Sequence, residues 1–449
     1  IAELTDVVGN LGYAFVDIQP KVERDREART ISLTYEINEG PKVFVERIDI
    51  EGNTRTLDKV IRREFRLVEG DAFNTAKLRR SRTRIQNLGF FRSVKIETEP
   101  GSQPDRTVIK VEVEEQSTGD LTFGAGFSTT AGVLGSVGIR ERNLLGRGQD
   151  LRLNFTLSGE QSQIDLSFTE PYFLERNLAA GFDLFRIEND SNDQSFNLKR
   201  TGGSLRTGFN WQERVRQTFR YTLEDKEVTD VDANASLIVK DEVGRFIQSR
   251  LGHELKYDTR DNRFDPHTGF VLRLRNEVAG LGGDVRYFKS SFGGAYYQPV
   301  AEDWTASVRA EVGNIFGLGQ DTRISDRYFI GGTDCRGFQF AGVGPRDGPT
   351  GDPLGAKNFY TAGSELSFPL GLPEEYDIRG RVFLDACSAW DLDKSNSSVL
   401  DENTPRVAGG IGVTWRSPFG PIVLDFGFPI VKEDFDETQV LNFSFGTQF

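Results

Sequence analysis

The stretch VLNFSFGTQF, residues 440–449, decides how the rest of the chain is read. Leu441, Phe443, Phe445 and Phe449 fall on one face of an extended strand, and Asn442, Ser444, Gly446 and Gln448 fall on the other. In a soluble protein such a strand is an amphipathic edge, a template for unwanted pairing. In a wall with lipid on one side and water on the other, the same alternation is what each strand requires.

The period of two continues toward the N-terminus as far as residue 118. PIVLDFGF (421–428), RVAGGIGVTWRS (406–417), IRGRVFLDACSAW (378–390) and NFYTAGSELSFPL (358–370) precede the last strand, and the series begins at LTFGAGFS (121–128). Sixteen such segments can be marked, the even number that bacterial barrels use. Spread over the barrel region they leave about 20 residues per strand and loop, enough for strands of about 10 residues. If the first strand runs outward, the periplasmic connections are short: LLGRGQ, PYFLERN, QERV, PVAED, GLPEEYD and SPFG. The outer connections include long ones at 229–245 and 317–356. A soluble β-sandwich or propeller is the alternative, but no blade repeat of about 40 residues is present. The predicted fold class is therefore mainly β: a 16-stranded antiparallel transmembrane barrel preceded by a small α+β region.

Composition agrees with this. No run approaches 18 apolar residues, so no transmembrane helix is predicted. The 48 glycines and 35 phenylalanines suit tight turns and aromatic girdles, and the net charge of −13 argues against a nucleic-acid partner. The first residue is not Met and no signal peptide is visible, so the chain reads as an internal piece of a longer precursor. No nucleophile elbow or phosphate loop occurs, and no enzyme activity or cofactor is expected. His253 and His267 make no metal-ligand pattern. Asp165 and Glu170 are expected at the lumen or rim.

Before residue 118 the pattern is mixed. Residues 2–11 have helical spacing and are followed by two strand-like runs, YAFVDIQPKV and RTISLTYEINEG. That is too little to hold a core, so residues 1–40 read as the back part of a cut domain. Residues 41–117 carry a full β-α-α-β-β order. VFVERIDIEG is the first strand, and TLDKVIRREF is a helix with Thr56 or Asp58 as cap. NTAKLRRSRTRIQNLGFF is a helix from Asn74 to Gly89, and two strands close the domain. The arginines of RRSRTR (79–84) are a solvated face or a contact for partner proteins or lipid headgroups.

Several motifs resemble one family. The last strand, ending in Phe449, resembles the C-terminal signal of outer-membrane proteins. RYFIGGTDCRGF (327–338) resembles the signature of the sixth extracellular loop in the outer-membrane β-barrel assembly factor superfamily. FLDACSAW (383–390) is similar to that family's strand-13 pattern, with Cys387 where glycine is usual. The 41–117 domain, with VEGD (68–71) and NLGFF (87–91), resembles a POTRA domain, and residues 119–151 resemble the family's entry into the barrel. The resemblance covers nearly the whole chain. It implies a protein that recruits unfolded outer-membrane proteins through POTRA edge strands and inserts them beside a weak seam, from the bacterial outer membrane with its POTRA region in the periplasm. Unfolded clients, accessory lipoproteins, periplasmic chaperones and outer-membrane lipid are the implied partners. A two-partner-secretion transporter of the same superfamily is the alternative, and a porin or outer-membrane enzyme fits less well.

The resemblance also singles out a latch of Arg336, Gly337 and Phe338. Strand parity points Asp385 and Glu365 into the lumen from neighbouring strands, where an arginine on an infolded loop can bridge both. Cys335 adjoins that arginine and Cys387 shares the face of Asp385, so the two are a possible disulfide. The seam is expected between the first strand (Leu121, Phe123, Gly124, Gly126) and the last (Phe443, Phe445, Gly446, Phe449), with Gly124 near Ser444 and with strand glycines weakening it.

Overall fold

In the computed structural model the described residues are Leu4, 16–25, 29–39, 42–129, 132–191, 196–263, 265–394, 397–417 and 420–446. Apart from Leu4, the expected helix at 2–11 lies outside them, as does Phe449. The chain divides into two compact units, residues 1–120 with 141–150, and 121–140 with 151–449.

In the first unit, β1 (Val16–Asp25) and β2 (Thr30–Glu39) form an antiparallel hairpin. The domain after it contains β3 (Phe44–Glu51), α1 (Asp58–Arg62), α2 (Thr75–Asn87), β4 (Phe91–Pro100) and β5 (Arg106–Glu115). Its sheet order is β3-β5-β4, parallel between β3 and β5 and antiparallel between β5 and β4. Val45, Ile48, Ile61, Ile85, Ile109 and Val111 fill the core between sheet and helices. Asn74 caps α2, its side chain accepting from Lys77 N–H at 2.9 Å. Neither Thr56 nor Asp58 caps α1. Leu57 holds that position, without a side-chain bond, and the Thr56 hydroxyl oxygen accepts instead from the Asn143 side-chain amide at 2.8 Å. Within RRSRTR, Arg84 pairs with Glu64 at 2.6 Å and Ser81 is buried, while Arg80 and Arg82 face out.

The second unit closes a barrel of sixteen strands. They are β6 (Gly119–Ser128), β7 (Gly132–Leu144), β8 (Gln149–Ser158), β9 (Gln161–Glu170), β10 (Ala179–Ser191), β11 (Phe196–Gln212), β12 (Val215–Thr229) and β13 (Gly244–Asp258). Then follow β14 (Gly269–Gly283), β15 (Tyr287–Ala301), β16 (Trp304–Gly317), β17 (Asn358–Pro369), β18 (Ile378–Trp390), β19 (Arg406–Ser417), β20 (Gly420–Val431) and β21 (Leu441–Gly446). The wall is apolar outside and polar inside. Phe123, Leu184, Leu223, Val312, Leu384 and Ile411 are exposed on the outer face, whereas Glu224, Lys226, Gln248, Asp385 and Asp425 are buried on the inner one. A soluble fold would bury the first set, so this arrangement suits lipid. Asp165 accepts from Asn154 and Gln163 at 3.0 and 2.9 Å, part of the polar side-chain network of the wall.

Candidate functional site: a loop latch and a short seam

Residues 318–357, between β16 and β17, fold inward and plug part of the lumen. Ile330, Phe338, Val343 and Ala356 of this loop pack with Phe359, Ala389 and Ala408 of the wall. Apolar residues on the loop thus find partners that water would not supply, and the loop is held by burial as well as by charge.

Arg336 is the centre of the site. Its Nε donates to Asp385 Oδ2 at 2.7 Å and Nη2 to Oδ1 at 3.0 Å, while Nη1 donates to Glu365 Oε2 at 2.6 Å. The backbone N–H of Arg336 adds a 3.2 Å bond to the same Asp385 oxygen. The guanidinium lies over the Phe383 ring, 3.5 Å from its centroid. Asp385 is fully buried, so its charge depends on these donors and on Arg309, at 3.2 Å. A planar fork is needed here, since one cation serves two carboxylates on different strands. Gly337 has φ +97°, and a Cβ there would stand 2.8 Å from the Ala408 Cβ. Glycine is therefore the residue that fits. Phe338 is fully buried. Cys335 and Cys387 are disulfide-bonded with Cα atoms 6.2 Å apart, which ties the latch to β18.

Two further sets of contacts were not anticipated. Arg381 on β18 grips Asp425 on β20 through two bonds of 2.8 and 2.7 Å. Parity and the lone carboxylate in the apolar run PIVLDFGF were the available signals. Farther along the loop, Asp326 accepts from Lys226 at 2.6 Å and from Gln248 at 3.2 Å, and Lys289 donates to its backbone carbonyl at 2.7 Å. These partners are about 40 to 100 residues apart in sequence, and no local pattern marks them.

Three register pairs of the seam fall among the described residues. Ser444 faces Ser128, Phe445 faces Phe127 and Gly446 faces Gly126, and no further register pairs occur among the described residues. Gly124 is therefore not opposite Ser444. Leu121, Phe123 and Gly124 belong to β6. The strands approach closely: a Cβ on Gly446 would lie 2.7 Å from Gly126 Cα, and one on Gly126 would lie 2.6 Å from the Phe445 carbonyl oxygen. Phe127 and Phe443 touch across the seam with ring centroids 6.0 Å apart. Behind it is a lumen cavity of about 740 Å³, bordered by Ser128, Asn442 and Ser444 on the seam side and by Arg336 and Phe340 of the latch.

His253 sits beside Gln217, and His267 beside Asp265 and Thr305. Among the described residues, no group of three or more His, Cys, Asp or Glu is arranged to hold a metal.

Comparison with known proteins gives consistent matches. The model of the Omp85 superfamily domain matches residues 143–449, and a POTRA model, described as a surface antigen variable number repeat, matches residues 43–116. The outer membrane protein assembly factor BamA of Neorickettsia risticii is 31% identical over 99% of this chain. BamA of Nitratidesulfovibrio vulgaris is 32% identical over 95%. The chain spans 60% and 54% of these two relatives. The crystal structure of BamA from Haemophilus ducreyi lacking POTRA domains 1–3 superposes with a TM-score of 0.82 at 22% identity, covering 100% of this chain and 92% of that one. That likeness establishes the fold.

Proposed function

The chain belongs to the Omp85 superfamily, and from that premise we propose that it folds β-barrel proteins into the outer membrane at the seam between β21 and β6. The observation that carries this reading is the meeting of the first and last barrel strands at two glycines, so close that a Cβ on Gly446 would lie 2.7 Å from Gly126 Cα. An unpaired backbone N–H or C=O at membrane depth costs several kcal/mol. An edge exposed when β21 and β6 part is therefore a template that a client strand can complete by β-augmentation.

No bond is made or broken in this scheme. The free energy comes from the client, which pairs its strands and buries its apolar face in lipid. The POTRA domain contributes a second kind of edge: β3 and β4 are the outer strands of its sheet and can take an extended client segment. Unfolded barrel proteins are the partners this requires. Accessory lipoproteins and periplasmic chaperones would meet the chain on the same periplasmic side. The latch of Arg336, Glu365 and Asp385 holds the infolded loop against β17 and β18.

The test is a crosslink in the observed register. Ser128→Cys with Ser444→Cys places two thiols on directly opposed residues. Oxidation is expected to stop client insertion into liposomes and reduction to restore it. Full-rate insertion by the crosslinked protein would move the site from the seam to the lumen.

A further inference from the structure

The apolar outer face of the barrel is crossed from rim to rim by a stripe of polar side chains. Trp211, next to the end of β11, donates its Nε1–H to Gln217 Oε1 on β12 at 2.6 Å. Gln217 Nε2 lies 3.0 Å from His253 Nε2 on β13, and His253 Nδ1 lies 3.4 Å from Asn276 Nδ2 on β14. Ser290 Oγ on β15 donates to Asn276 Oδ1 at 2.8 Å, and Ser290 faces Asn314 of β16 in register. Asn314 donates to Asn358 of β17. Asn358 Nδ2 donates to Oδ2 of Asp391, the residue after β18, at 3.2 Å.

Alternation puts these side chains on the lipid side of the wall. His253 shares its face with Leu251 and Tyr257, Asn276 with Leu272, Ser290 with Phe292, and Asn314 with Val312 and Phe316, all of them exposed. The stripe residues from Gln217 to Asn358 are themselves half-buried. One end of the stripe lies beside the short connection from β11 to β12, on the rim where the chain enters the barrel. The other lies just past β18, at the opposite rim, where Lys357 pairs with Asp391 and Asp393 at 3.4 and 2.8 Å. A polar side chain facing hydrocarbon is costly, and in a membrane wall it marks a path or a contact.

The stripe is too long and too curved to be the contact of a second barrel. It runs over seven strand spacings of about 4.8 Å, about 34 Å of wall and nearly half of the sixteen-strand circumference. Two convex cylinders touch over a strand or two, whereas a small molecule moving along the surface can follow the whole stripe. The amides of Gln217, Asn276, Asn314 and Asn358 both donate and accept, and the ion pairs of Lys357 give the outer end both signs of charge. A phospholipid headgroup carries the same mixture, with an anionic phosphate, ester oxygens and commonly an ammonium. We propose that the stripe is a path along which phospholipid headgroups cross between the leaflets on the outside of the barrel, with their acyl chains left in the bilayer. The protein then scrambles phospholipid, an activity separate from insertion. A client that enters from one side adds area to one leaflet first, and the path relieves that difference; this use rests on the insertion reading, and the lipid transfer itself does not.

The test reconstitutes the full chain in phosphatidylcholine vesicles that carry a trace of short-chain NBD-phosphatidylcholine in both leaflets. Albumin added outside extracts the label and is too large to enter through the lumen. In protein-free vesicles the inner-leaflet label stays protected, and with the protein it is expected to become extractable. His253→Leu with Asn276→Leu interrupts the stripe at its centre with side chains that suit lipid, and is expected to slow that extraction at least tenfold. Asn314→Leu with Asn358→Leu repeats the interruption nearer the outer rim, with the same result expected. His253→Gln with Asn276→Gln keeps hydrogen-bonding groups in place and is expected to stay within twofold of the unaltered protein. So is Tyr221→Phe, whose hydroxyl bonds Ser249 on the outer face away from the stripe. Label protected as in protein-free vesicles would overturn the proposal, as would full-rate transfer by either leucine pair migrating on gels as a folded barrel. Oxidised Ser128→Cys, Ser444→Cys protein, made with Cys335→Ser and Cys387→Ser, is expected to transfer lipid within twofold of its reduced form while it no longer inserts clients. Loss of transfer on oxidation would put the path at the seam and overturn the stripe. Transfer together with continued insertion would defeat the insertion reading and leave the stripe standing.

Discussion

Replacing Arg336 by alanine removes one cation from between two lumen carboxylates, and its effect can be worked out in advance. The side chain makes two bonds to Asp385 and one to Glu365. Deleting one partner of a buried ion pair costs about 3–5 kcal/mol. Two features place this case at the lower end: Arg309 stays on Asp385 at 3.2 Å, and Glu365 keeps Arg381 at 3.9 Å and some access to lumen water. About 3 kcal/mol corresponds to a change of roughly 10²-fold in the fraction of molecules with the loop released. The disulfide would hide much of that, because the bond from Cys335 holds the neighbouring backbone at the wall whether or not the arginine is present. The comparison should therefore be made in Cys335→Ser, with and without Arg336→Ala. The assay is native-state proteolysis of the 318–357 loop under conditions where cleavage tracks the open population. A rate rising about 10²-fold is the expected result, with Arg336→Lys in between because it restores charge without the fork. Cleavage within twofold of Cys335→Ser alone would show that the ion pairs do not hold the loop.

In the POTRA domain, partial burial alone would raise the Glu115 carboxyl pKa, but hydrogen bonds from Thr56, Thr54 and Arg55 outweigh it and hold it below the ordinary carboxylate range. A depressed folded value means stabilisation that is complete above the unfolded pKa of about 4.3 and lost as pH falls through the folded one. Protection of the Arg55 and Thr56 amides from exchange is expected to follow that course, and pH-independent protection would refute it. On the barrel, Val312→Arg on the outer face is expected to cost about 2–4 kcal/mol of folding into bilayers, and Thr361→Arg, lining the lumen, far less. Equal costs would mean that the two faces have been assigned wrongly.

Much of the barrel could be read from the sequence because its rule is local. Alternation within each strand places Leu384 outside and Asp385 inside without reference to any other strand. The latch was legible only through resemblance and parity combined: parity aims Asp385 and Glu365 inward, but nothing local says that residue 336 returns to them. Long-range contacts were mostly invisible. The pairing of Gly337–Phe338 with Thr438–Gln439 joins segments about 100 residues apart and leaves no periodic trace. The Lys226–Asp326 contact is of the same kind. At the start of α1, Thr56 looked like a cap, but its hydroxyl oxygen is taken by Asn143, 87 residues on in sequence. The seam register was misplaced because alternation fixes which face a residue occupies and leaves the sliding position along the neighbour open.

The disulfide also reports whether the loop has seated. Cys335 and Cys387 are 52 residues apart, and all of β17 lies between them. In the folded barrel their sulfurs are brought together by the pairing of β17 with β18 and by the return of the loop into the lumen. Closing a ring of that length in a disordered chain costs about 4 kcal/mol of conformational entropy, so premature bonding is disfavoured. With no other cysteine in the sequence, there is no wrong partner within the chain. A thiol-reactive mass tag added during biogenesis would therefore mark the molecules whose loop has not yet seated, two tags to each unbonded chain, and leave the finished ones unlabelled.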